Sequence, residues 1–240
     1  MVTLRSTSLH DRVVHSLGRS IVDRELPAGT IMIAEDLEGK FGVSRSVVRE
    51  AIRVLASIGM TESVKRVGIK VLPVERWNAL DPQLIAWRLA SAEQGAQLRA
   101  LTELRAVVEP AAAALAAQYG PDICAVELAE LAAAMRTAAA AGDRDAFADA
   151  DTQFHRVLLR AGGNEMFASL DQAIGAVIRG RAEHGMMPKH PTETAVRRHE
   201  EIARAIAEHR PEDARDTMTL IMDRTMSELE PTWRDVPRHA

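Results

Sequence analysis

The chain has 240 residues, enough for one large domain or two modest ones, and carries a formal net charge of −4. Hydrophobic residues make up 47% but aromatics only 3%, and alanine is abundant, which favours closely packed helices over a β-sandwich. The single cysteine, Cys124, excludes a disulfide framework and a thiolate zinc site; with no apolar signal core and no membrane-length apolar run, the expectation is a cytoplasmic protein.

Residues 9–26 form the first predicted helix, with Val13, Leu17, Ile21 and Val22 as its apolar stripe, and Pro27-Ala28-Gly29 ends it. The stretch 35–58 then reads as two short helices around a tight turn. The first is 35–41, Gly42 supplies the turn, and Ser44 caps the second. In that second helix Val48, Ala51, Ile52 and Leu55 fall at i, i+3, i+4 and i+7, while Arg45, Ser46, Arg49 and Arg53 point away from this face. A surface helix with a solvated basic face would carry the same pattern. The next stretch decides between the two readings. Two β-prone runs, 61–64 and 69–72, flank the basic tip Lys65-Arg66-Val67-Gly68 and make a hairpin, the wing of a winged helix. An arginine-bearing helix docked on such a unit is what a major groove accepts. The charge distribution agrees. Residues 1–74 hold 11 lysines and arginines against 8 acids, and residues 75–240 hold 19 against 26. A basic head on an acidic body suits a polyanion at one end only.

After a connection at 75–80, Asp81-Pro82 opens a helix with proline at its first position. Beyond it only helical periodicity appears, at 81–93, 96–118, 121–140, 144–161, 164–184, 193–208 and 211–229. Gly120-Pro121, Ala141-Gly142, Gly162-Gly163, the prolines at 188 and 191, and Arg210-Pro211 punctuate these helices. The expected architecture is a winged helix-turn-helix domain at 1–74, a linker at 75–80, an all-α body at 81–231 and a tail at 232–240. The body is an antiparallel bundle of six or seven helices.

The body becomes informative once its ionisable residues are placed on helix faces. Asp151, Phe154, His155 and Leu158 share one face of helix 144–161, extended by Phe147. His199 keeps company with Ile202, Ala203 and Ile206, and Arg105 with Leu101, Leu104, Val108 and Ala112. Burying such groups unpaired is costly, so each other, a metal or a ligand must satisfy them. Asp151 and His155, one turn apart, form a chelating pair, and His199 completes an Asp/His/His set for a divalent ion. A buried Asp151–His155 pair with no metal is the plainer alternative. Arg105 offers a bidentate fork to a ligand carboxylate, with Glu109 as its salt-bridge partner. His184, His190 and His209 lack inward patterning and are expected at the surface.

FGVSRSVVREAIRVLASIGM and VKRVGIKVL resemble the GntR family of bacterial transcription regulators, and ADTQFHRVLLRAGGN with RRHEEIARAI resembles the helical FCD-type effector domain of its FadR subfamily. WNALDPQLIAWRL and ELRAVVEPAAA are similar to the galactonate-responsive, sugar-acid repressors of that family. The resemblance implies operator contacts from Arg45 and Arg49 and a wing tip near Gly68 entering the minor groove. Ser44, Arg45, Ser46, Arg49, Arg66 and Gly68 are thus the candidate DNA-contacting residues. It also implies a homodimer on a pseudo-palindromic operator, and a small carboxylate such as a sugar acid bound by Arg105, Asp151, His155 and His199. The ion would be zinc, nickel or manganese. Two positions depart from the pattern: Glu35 stands where many members carry arginine, and Ile221 where metal-binding members place a further histidine. The competing class is a metal-dependent hydrolase using Asp151, His155 and His199, with Glu200 as base. A winged basic head has no place in that reading, so the expectation is not an enzyme but a metabolite-responsive repressor.

Overall fold

In the computed structural model, which describes residues 8–187 and 192–238, the first helix is α1 (Leu9–Val22). Ser8 caps it: its hydroxyl accepts from the Asp11 amide at 3.1 Å and its own amide donates to the Asp11 carboxylate at 3.3 Å. Val13, Val14, Leu17 and Ile21 are buried on one stripe. The helix stops short of the expected residue 26 because Arg24 turns into the left-handed region at φ 60°.

Strand β1 (Ile31–Met32), helix α2 (Ala34–Phe41) and helix α3 (Arg45–Ser57) follow. Gly42, at φ 63°, makes the left-handed turn between the helices that the sequence assigns to it. Val48, Ala51, Ile52 and Leu55 are buried together, so the periodicity of α3 names its docked face. Ser44 stands at the head of α3, but its hydroxyl accepts nothing from the helix backbone. It lies 2.8 Å from the Ser46 hydroxyl instead, and this short local contact replaces the expected cap. Strands β2 (Thr61–Val64) and β3 (Gly68–Val71) form the hairpin, with Val64 opposite Gly68 across the tip. The sheet has three strands in the order β1-β3-β2. β1 escaped the sequence reading because two residues show no alternation. It packs so closely that a Cβ on Gly68, at φ +133°, would sit 2.7 Å from the Met32 carbonyl oxygen.

Helix α4 (Pro82–Leu89) starts as expected, with Asp81 accepting from the amides of Gln83 and Leu84. It belongs, however, to the first compact unit, Met1–Ala92, rather than to the body expected from residue 81. The reason is a gap in α1. Gly18 has no side chain, and a Cβ there would lie 2.3 Å from the Trp87 ring that fills the space. The Trp87 indole also donates to His15 Nδ1 at 3.0 Å.

The second unit, Glu93–Ala240, holds α5 (Gln94–Tyr119), α6 (Asp122–Ala141), α7 (Arg144–Ala161), α8 (Glu165–Ala168), α9 (Asp171–Glu183), α10 (Glu193–Ala207) and α11 (Pro211–Leu229). Its core is built from small and medium side chains, Ala113 and Ala117 meeting Leu128, Met135, Phe154, Ile202 and Met218. Alanine at these contacts brings helix axes close. The single helix expected at 164–184 is two, because Asn164 caps α8 and the Ser169 hydroxyl takes the Met166 carbonyl at 2.7 Å. The described part of the tail is anchored on α5. Trp233 is buried, Arg99 donates to the carbonyls of Val236 and Pro237, and Arg238 pairs with Glu103. The expected break at 188–191, His190 included, lies outside the described residues. No described helix is long and apolar enough to cross a membrane.

Candidate DNA face and effector cavity

On the first unit, the docked stripe of α3 turns the opposite stripe outward. Arg45, Arg49 and Arg53 are spaced one turn apart and exposed, and they line a shallow groove that continues to Ser63 and Ile69 on the hairpin. Their ion pairs are loose or local. Arg45 lies 3.6 Å from Glu35, Arg49 lies 3.5 Å from Glu50, and Arg53 holds Glu50 at 2.8 Å. At the wing tip Arg66, at φ 62°, and Lys65 are exposed.

In the second unit, Asp151 and His155 from α7 and His199 from α10 converge while buried, their ligand atoms within 4.8 Å of one another. Asp151 Oδ1 is 3.4 Å from His155 Nε2 and 3.3 Å from His199 Nε2. His199 Nδ1 sits 2.8 Å from the Ala195 carbonyl, one turn back on its own helix. That contact orients the ring and leaves Nε2 facing inward, with no hydrogen-bond partner among the described residues. Phe154 wedges edge-on against the His199 ring, with centroids 4.9 Å apart, and fixes its tilt.

Behind this trio stands a buried pair. Arg105, only 2% exposed, donates from Nε to Glu109 Oε1 at 2.7 Å and from a terminal nitrogen to Oε2 at 3.3 Å. Glu109 Oε2 also lies 2.7 Å from His155 Nδ1, off the direction of a well-formed hydrogen bond. Burial opposes the charge of Glu109, yet Arg105 and the His155 ring hold its pKa down at about 2. Burial likewise opposes an imidazolium at His155, and the carboxylates of Glu109 and Asp151 overcome it, raising the pKa to about 9. Asp151 falls well below the usual carboxylate range, the two imidazoles outweighing its burial.

The trio opens onto a cavity of about 120 Å³, on a scale where one water takes roughly 10–15 Å³. Several ligand atoms therefore fit. Arg105, Arg144, Arg181, Arg198 and Arg224 reach its wall against the three acids Asp145, Asp151 and Glu228, so the lining is net positive and favours an anion. Ile221 lines the cavity too, an aliphatic side chain where the resemblance expects a further histidine. Glu200, expected as a base, is not part of the cavity. Both its oxygens are taken by Arg136 of α6, at 2.5 and 2.8 Å. His184 and His209 are exposed, as their patterning suggested, although His209 Nδ1 also reaches the Ala117 carbonyl at 3.0 Å.

The sequence reading missed Arg181. It is 6% exposed, and burial together with the charge of Arg105 lowers its pKa to about 10. The signal was available. Ile174, Val177, Ile178 and Arg181 fall at i, i+3, i+4 and i+7, the same spacing that singles out Arg105.

Comparison with known proteins supplies the remaining findings. The family model described as "Bacterial regulatory proteins, gntR family" matches residues 9–71, and that of the FCD domain matches residues 100–224. The chain is 32% identical over 188 residues to the galactonate operon transcriptional repressor of Escherichia coli (strain K12), covering 78% of this chain and 80% of that protein. It is 25% identical over 158 residues to the gluconate operon transcriptional repressor of Bacillus subtilis (strain 168), covering 66% of this chain and 57% of that one. Among solved structures, Lar of Listeria monocytogenes superposes with a TM-score of 0.60 at 20% identity, covering 93% of this chain and 97% of that chain. At that identity the likeness concerns the fold alone.

Proposed function

Given that this chain belongs to the gntR family of bacterial regulatory proteins and carries an FCD domain, we propose that it is a repressor whose DNA-binding head is released by a small sugar acid. Its class is that of a metabolite-responsive DNA-binding transcription regulator, and its relatives are regulators rather than enzymes. Arg45 and Arg49 read base edges in the major groove, and the hydroxyls of Ser44 and Ser46 contact phosphate nearby. Arg66 meets the backbone beside the minor groove, where Gly68 lets the hairpin tip lie close to β1. Two copies bind a pseudo-palindromic operator. A second apolar stripe on α5 supports self-association: Leu104, Val107, Val108, Ala111 and Leu115 share one face, with Val107 75% exposed.

The observation that carries the effector reading is the inward Nε2 of His199, which lies 3.3 Å from Asp151 Oδ1 without a well-formed hydrogen bond among the described residues, in a cavity lined by five arginines. A buried ring nitrogen so weakly satisfied calls for a metal or a ligand group. The donor set of one carboxylate and two imidazoles fits a divalent ion such as zinc, nickel or manganese, held by Asp151, His155 and His199. Once bound, the ion would supply a Lewis-acid contact for a ligand oxygen. With Ile221 in place of a fourth ligand, the affinity is lower than that of a complete set. The effector's hydroxyls find donors and acceptors at the same trio. Derepression requires that the effector bind the arrangement with low DNA affinity better than the other.

Operator mobility shifts with and without galactonate and gluconate, on metal-stripped and metal-loaded protein, test this reading. Release of operator by at least one sugar acid is expected, with light scattering giving a dimer. A monomer at micromolar concentration would count against the dimer, and an operator complex insensitive to every acid tested against the effector.

A further inference from the structure

One cation of the cavity has no close acid partner among the described residues. Arg181 of α9 is buried and lines the cavity, and its Nε has no hydrogen-bond partner among the described residues. Its nearest acid is Glu228, 3.8 Å from a terminal nitrogen, and Glu228 is committed through its other oxygen to Arg224 Nε at 2.7 Å. Arg105 is the opposite case. Glu109 faces its Nε and one terminal nitrogen with both oxygens, and that terminal nitrogen also lies 3.4 Å from His155 Nε2, so the Nε edge that would clasp a carboxylate side-on is already filled from within the protein.

We infer that Arg181, rather than Arg105, receives the carboxylate of the effector and makes the cavity selective for acids over their uncharged counterparts. The inference rests on the reading of the cavity as a sugar-acid site and specifies its orientation. The hydroxyl-bearing end lies towards Asp151, His155 and His199, and the carboxylate towards α9. A planar guanidinium matches two carboxylate oxygens, and a neutral analogue would leave it buried and unpaired. Glu109 instead holds Arg105 as a fixed positive wall behind His155.

The test compares galactonate with galactitol, which replaces the carboxylate by a hydroxymethyl group, by calorimetry on wild type, Arg181→Met and Arg181→Lys. Wild type should prefer the acid by at least about tenfold, Arg181→Met should erase that preference, and Arg181→Lys should keep part of it. A second readout needs no ligand. Replacing a weakly paired buried charge by an apolar chain of similar length should raise the unfolding midpoint of the free protein by about 2–4 °C. Retention of the preference by Arg181→Met overturns the inference, as does a fall in the ligand-free midpoint, which would mark Arg181 as a structural partner of Glu228. Failure of the sugar-acid reading looks different: wild type would bind neither galactonate nor gluconate while the Arg181→Met midpoint still rises, and the carboxylate assignment falls with it.

Discussion

The arginines of α3 and those of the cavity wall carry the same charge in opposite surroundings. Arg45 has 76% of its side chain exposed and a single acid 3.6 Å away, whereas Arg105 is buried with both oxygens of Glu109 against it. An exposed cation costs the fold almost nothing, acts over a Debye length and loses strength in salt. A buried cation is expensive, and its cost is recovered only by a partner with the right geometry. The first kind suits an operator, approached as a polyanion from solvent. The second suits a small ligand that must be told apart from close analogues.

Removing a partner in each region should therefore have very different consequences. The largest effect is expected from Glu109→Ala, which leaves Arg105 and His155 buried together without the acid they share. Chemical denaturation should show a loss of about 3–5 kcal/mol. A loss below about 1 kcal/mol would mean that water reaches this pair and the contrast with α3 is false. Next come Arg45→Ala and Arg49→Ala, each expected to weaken operator binding by about 1–3 kcal/mol with the unfolding midpoint unchanged. An unaltered mobility shift from the double variant would remove α3 from the interface. His199→Ala should leave operator affinity intact while abolishing divalent-metal binding and the response to sugar acid, a lost coupling of roughly 1–3 kcal/mol. If that variant still responds normally, the inward trio is structural. The smallest effect belongs to Glu35→Gln. Freeing Arg45 from an exposed acid should tighten operator binding by no more than about fivefold and steepen its salt dependence. A larger gain would show that Glu35 opposes the operator directly.

Much of both regions was legible along the chain, because helical spacing is a local property. Positions i, i+3, i+4 and i+7 identified the docked face of α3 and so the arginines opposite it. They also identified Asp151, His155, His199 and Arg105 as inward, and Glu109, one turn from Arg105, as its partner. Where the reading went astray, a contact between distant residues had intervened. Trp87 filling the gap at Gly18 drew α4 into the first unit, and Arg136, 64 residues from Glu200, removed that carboxylate from the candidate site.

The sequence by itself determined the helical class, the winged head and the inward set, since apolar periodicity and turn residues act within a few positions. Only the tertiary structure decided which acid reached which cation. Glu109 completed its pair with Arg105 and still lay against His155, whereas the nearest acid to Arg181 was already drawn to Arg224. Spacing along one helix fixes the direction a side chain takes. It carries no information about what a neighbouring helix places opposite, and for a buried charge that decides whether a ligand is required.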